Sequence, residues 1–129
     1  MCPLCDLHKP VRDKNKKLDI WVEEAAFVLD GEDYRDLIPI VVEHEITEAW
    51  VDIMRNKERG KRWKNRTGRG DSHRIALLSE FALAHELGLA DRYMVLIYKW
   101  AEKLYPSQRR AFIRENEDAY ELARMMMEE

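Results

Sequence analysis

The chain has 129 residues, of which 46% are apolar and 36% charged, and its net charge is −3. That length holds one ordinary domain with a small appendage and excludes two independently folded catalytic domains. The proportions permit a core beneath an ion-rich surface and argue against wholesale disorder.

Residues 1–17 read as an N-terminal appendage to a single domain over 18–129. The appendage opens Cys2-Pro3-Leu4-Cys5, then His8, then Lys9, Arg12, Lys14, Lys16 and Lys17. It lacks the basic-then-apolar plan of a secretion signal, and the longest apolar run of the chain, Tyr93 to Tyr98, falls far short of the roughly 20 residues that cross a bilayer. A cytoplasmic location without a membrane partner is expected. Two cysteines three positions apart close too small a loop to stabilise a domain, so metal or redox chemistry takes the place of a disulfide framework. The CPxC string resembles one knuckle of a zinc-ribbon or rubredoxin-type site. That resemblance implies a second metal site on Cys2 and Cys5, with His8 as a further ligand. Another histidine or acid would complete it, or the same knuckle of a second subunit across a twofold axis. Free thiols are the competing reading.

Between residues 18 and 30, Ile20, Trp21 and Val22 favour a strand, while Trp21, Ala25, Val28 and Leu29 also fit a helical spacing; a short β hairpin is preferred. Helices follow. Pro39 is tolerable only in a first turn, so a helix should run from about Leu37 to about Lys57. From Arg55 to Arg74 the chain carries nine basic residues against Glu58 and Asp71, a local charge of +7 while the remainder sums to −10. With Gly60, Gly68 and Gly70, and Trp63 as its one apolar residue, this stretch cannot build a core and reads as a basic loop over 58–70. Asp71 or Ser72 caps a second helix that stops at Gly88, and Asp91 caps a third that reaches about Leu104. Pro106 and Ser107 start a fourth, with an apolar stripe at Phe112, Ala119, Tyr120, Ala123 and Met127. The last three helices, joined by short connections, should lie as neighbours, most simply antiparallel. The expected fold is mainly α: a small bundle of about four helices, with a short β hairpin near 18–30. The Met125-Met126-Met127 end suits docking on a partner chain, which makes a homodimer an expectation. A single glutamine and four asparagines amid abundant ionic residues suit a heat-adapted source.

Chemistry enters through polar residues on apolar faces. On the second helix His73 and Glu80, seven apart, fall among Ala76, Leu77, Leu83, Ala84 and Leu87. Burying either without a partner would be costly. On the first helix His44 and Glu48 are four apart and project from one face, the separation at which a helix offers two ligands to one ion. Glu45 stands beside the first of them, where a carboxylate can hold and deprotonate a metal-bound water.

The stretch from Ile40 to Trp50, with its His44-Glu45-Ile46-Thr47-Glu48 core, resembles the active-site helix of zincin metallopeptidases, whose pattern is HExxH. The resemblance implies that His44 is a ligand, Glu45 the general base, and that a further ligand lies farther along the chain. Glu48 replaces the second histidine of the pattern. An anionic ligand lowers the acidity of bound water, which weakens hydrolysis without forbidding it, and it shifts preference toward manganese or iron. Glu80, His73 or both complete the expected set, around zinc or another divalent transition metal, with a peptide or protein as substrate.

Rival readings stay open. His44 and Glu48 can pair with each other or with Arg55, and His73 with Glu80, as satisfied polar contacts; the protein would then be a structural interaction module. Lys61, Arg62, Trp63, Lys64, Arg66 and Arg69 can neutralise phosphates while the indole stacks on a base, which with the knuckle describes a nucleic-acid-binding regulator. The acidic remainder of the chain opposes a polyanion. His85 reads as a core or interface histidine, and the lack of any Glu-x-x-His motif removes a di-iron carboxylate bundle.

Overall fold

The computed structural model describes residues 10–12, 18–58 and 71–128. Among them, four helices form the body of the protein: α1 (Ile38–Glu58), α2 (Asp71–Glu86), α3 (Ala90–Ala101) and α4 (Pro106–Met127). Ahead of them lie four short strands, β1 (Pro10–Arg12), β2 (Leu18–Ile20), β3 (Val28–Leu29) and β4 (Glu32–Asp33). The mainly α architecture and the four helices agree with the reading of the sequence. Cys2, Cys5 and His8, and the loop residues Lys61, Arg62, Trp63, Lys64, Arg66 and Arg69, lie outside the described residues.

Strands do occupy both ends of the 18–30 stretch, but each pairs beyond it. β2 pairs antiparallel with β1, Pro10 opposite Ile20, and β3 pairs with β4, Leu29 opposite Glu32. A 3-10 turn over Glu24–Phe27 separates the two hairpins. The second hairpin is centred on Asp30-Gly31, both at positive φ (53° and 79°), which is the backbone a tight two-residue hairpin turn demands and which Asp-Gly supplies. Beside it Arg35 donates to Asp33 from its side chain and its backbone and holds that carboxyl down at about 2.

Helix limits follow local chemistry. Pro39 is the second residue of α1 and Pro106 the first of α4, positions where a missing N–H costs nothing. Asp91 lies in the first turn of α3 and not at its cap, which is Leu89. The reason is the tight link from α2: Leu89 N–H returns to the Ala84 carbonyl (2.8 Å) and Gly88 N–H to that of His85 (3.1 Å), with Gly88 at φ 72°. These two bonds make a Schellman ending, and the left-handed residue at its centre favours glycine. At the far end α3 stops at Ala101, short of Leu104, where Arg109 donates to the carbonyls of Ala101, Glu102 and Leu104. Gly88→Ala should therefore cost about 1 kcal/mol, from the left-handed backbone alone, because nothing lies within 4 Å of an added Cβ. Urea unfolding of the two proteins measures it.

The core is built from Phe27, Leu37, Ile40, Val41, Phe81, Tyr93, Leu96 and Ile97, none with measurable exposure. Phe27 meets Trp100 edge to face at 5.3 Å, and the Trp100 indole donates to the Ala26 carbonyl, so the second hairpin is tied to α3. α1 and α2 run antiparallel, since Glu43 meets Ser79, His44 meets Glu80 and Glu48 meets His73. That pairing brings the polar positions of both helices face to face inside the bundle. No described helix is long and apolar enough to cross a membrane.

Candidate metal centre

The α1 face toward the interior repeats at three- and four-residue spacing: Val41, His44, Glu45, Glu48 and Asp52, all buried. Helical periodicity places them on one stripe, and the antiparallel neighbour α2 supplies His73 and Glu80, also buried. Several ionisable side chains thus share the interior of the bundle. Each would be expensive there without a counterpart.

Glu48 lies between two imidazoles. Its Oε2 is 3.3 Å from His44 Nε2 and 3.5 Å from His73 Nδ1, and donor atoms of all three residues lie within 4.8 Å of one another. The rings meet edge to face, with centroids 5.1 Å apart and planes at 67°. The two contacts to Glu48 are longer than a well-formed N–H···O bond of about 2.7–3.2 Å. They match the ligand-to-ligand edge, roughly 3.3–3.5 Å, of a tetrahedron whose arms have the length of zinc bonds to nitrogen and oxygen. A small shift of His44 and His73 about Glu48 would let the three hold one ion.

The remaining nitrogen of each ring faces a second carboxylate. His44 Nδ1 is 2.5 Å from Glu80 Oε1, and His73 Nε2 is 3.3 Å from Glu115 Oε1. A carboxylate accepts only, so each outer one favours the tautomer with its N–H on the outer nitrogen, which would leave the lone pair of the inner nitrogen available to an ion. The histidines use opposite atoms for this: Nε2 of His44 and Nδ1 of His73 point inward. Outer carboxylates of this kind orient metal-binding histidines and strengthen them as donors.

Of the expected residues, His44, Glu48 and His73 come together, and Glu45 is buried at 1% exposure on the same helix. Glu80 takes a different place. It sits behind His44, with one oxygen at Nδ1 and the other accepting from the Tyr93 hydroxyl, so it backs that ring and does not join the group of three. The contact drawn between His73 and Glu80 is replaced by His73 with Glu115 and Glu48. His85 is an interface histidine as expected, bonded through Nε2 to the Tyr120 carbonyl at 2.9 Å.

Three further polar residues escaped sequence reasoning. Asp52, one turn beyond Glu48, was signalled by the same spacing that marks Glu45 and Glu48. Asn116, fully buried, stands four after Phe112 and three before Ala119, and a wheel of α4 would have exposed it as a polar residue on an apolar stripe. Glu115 carries no such mark, because its role is set by where α4 crosses α2.

No family model, curated protein or solved structure matches the chain.

Proposed function

We propose that this protein is a zinc-dependent hydrolase of the zincin type, with His44, Glu48 and His73 as ligands and Glu45 as general base. The observation that carries the reading is the placing of Glu48 Oε2 at tetrahedral-edge distance from one nitrogen of each histidine, with a second carboxylate behind each ring. Two imidazoles and one carboxylate, with a fourth position left over, form a usual ligand set of catalytic zinc. The histidine that the HExxH pattern would place four residues after His44 is supplied instead by His73 on α2. The donor inventory of the zincin helix is thereby kept, although its order along the chain is not.

Zinc, when bound, supplies Lewis acidity that makes a water nucleophilic near neutral pH. With the metal held by His44, Glu48 and His73, Glu45 would take the proton that water loses as its oxygen bonds to the substrate carbonyl carbon, and would return that proton to the amide nitrogen as the carbon–nitrogen bond breaks. Glu80 and Glu115 keep the two rings aimed while charge is redistributed. The same three donors also suit ferrous iron. Glu45, buried and next in sequence to His44, is the carboxylate that this reading assigns to proton transfer to and from water.

Elemental analysis of the purified protein tests the metal. One zinc per chain is expected, absent after Glu48→Ala and unchanged after Cys2→Ser. Zinc lost after Cys2→Ser and kept after Glu48→Ala would move the site to the cysteine knuckle, and no transition metal in any preparation would end the reading.

A further inference from the structure

Tyr93 belongs to the core by every apolar criterion. It is fully buried on α3, its ring 5.3 Å from that of Phe81. A buried hydroxyl nevertheless needs an acceptor, and this one donates to Glu80 Oε2. The other oxygen of Glu80 faces His44 Nδ1. Three residues from three helices therefore form one chain, Tyr93 to Glu80 to His44, which ends at the inward-facing Nε2.

Resting on the metal site proposed above, we infer that Tyr93 is a positioning residue for that site: its hydroxyl fixes the Glu80 carboxylate, which fixes the tautomer and direction of His44. The physical need is plain. Glu80 is fully buried, so no water competes for its oxygens from bulk solvent. A carboxylate held at one oxygen alone can still rotate about its last bond, because terminal carboxylate torsions are broad. Two donors from different helices remove that freedom. His44 then presents Nε2 along one line, before any ion arrives.

His73 is held differently. Its outer carboxylate, Glu115, has a side chain 39% exposed, where water can replace either partner. The site accordingly has one rigid ligand anchored through α3 into the core and one adjustable ligand at its wetter side. The rigid member is His44, and Tyr93 is the reason.

Phenylalanine keeps the ring packing against Phe81 and removes only the hydroxyl. For Tyr93→Phe, zinc affinity measured by chelator competition should fall roughly three- to tenfold, the worth of one hydrogen bond. Glu80→Gln, which keeps an acceptor and loses the charge, should weaken it about 10- to 100-fold. In the cobalt-substituted protein the visible ligand-field bands should broaden or shift for Tyr93→Phe, while Tyr98→Phe, whose hydroxyl serves exposed Glu117 on the surface, leaves them unchanged. Metal-free protein gives an independent reading: the His44 ring N–H facing Glu80 should appear as a slowly exchanging, far-downfield proton resonance, which Tyr93→Phe moves or broadens. Wild-type protein that binds zinc, with affinity, bands and resonance indifferent to Tyr93→Phe, overturns the inference and spares the metal site. Wild-type protein that binds no metal overturns the metal site, and the downfield resonance then decides whether Tyr93 still orders His44.

Discussion

Metal-free His44→Ala protein should be less stable than metal-free wild type by about 1–3 kcal/mol, the cost of leaving a buried acceptor without its donor. Alanine at 44 removes the ring that faces Glu80 Oε1 at 2.5 Å, and Glu80 is buried too deeply for water to take its place. It also opens a cavity the size of an imidazole between α1 and α2. His73→Ala should cost clearly less, because the carboxylate it abandons, Glu115, is partly exposed and can be hydrated. Urea unfolding in excess chelator measures both. Equal losses below about 1 kcal/mol, the range of surface pairs, would mean that the His44–Glu80 contact is not a stabilising buried hydrogen bond. On the proposed function, zinc should add a separate increment to wild type alone, about 4 kcal/mol at a thousandfold excess over the dissociation constant.

The asymmetry between the two histidines bears on what a sequence can disclose. His44, Glu48, His73 and Glu80 were visible because each interrupts an apolar face at helical spacing, and interruption is a local property. The antiparallel pairing of α1 with α2 across the basic loop was not fixed by the sequence pattern, and it is what brings the four together. What stayed hidden was the order of layers. Whether Glu80 touches an ion or stands behind His44 depends on which imidazole nitrogen faces it, an angular matter of one rotamer. Tyr93 was hidden for a different reason: on an amphipathic helix a tyrosine counts as apolar, and its hydroxyl becomes informative only when an acceptor is found. Glu115 depends on the crossing of α4 over α2, which no periodicity encodes. At the N-terminal side, the strand propensity of Ile20 and Val28 was legible, whereas the pairing partners were not; Asp30-Gly31 was the stronger mark, since it dictates positive φ at two successive residues.

Glu45→Gln should abolish hydrolysis while leaving zinc content and melting temperature near those of wild type. Glutamine has the same shape and keeps hydrogen-bonding capacity, so the packing of α1 is preserved; what it loses is the ability to accept and return a proton. General-base catalysis contributes about 10²- to 10⁴-fold, and turnover of a quenched fluorescent peptide pool should fall by at least that range. Position on the helix separates this carboxylate from the ligands. Glu45 is one residue after His44 and three before Glu48, about 4.5 Å from the latter along the helix axis, and its donor atoms do not belong to the His44–Glu48–His73 group. Glu48→Ala, which removes a proposed ligand, should lose zinc and activity together. Zinc lost with Glu45→Gln would make Glu45 a ligand, and activity kept would require another proton acceptor near the ion. Buried Asp52, one turn beyond Glu48, is the next carboxylate on the same stripe. Asp52→Asn should retain turnover if Glu45 is the base, so the two substitutions together assign the proton transfer to one side chain.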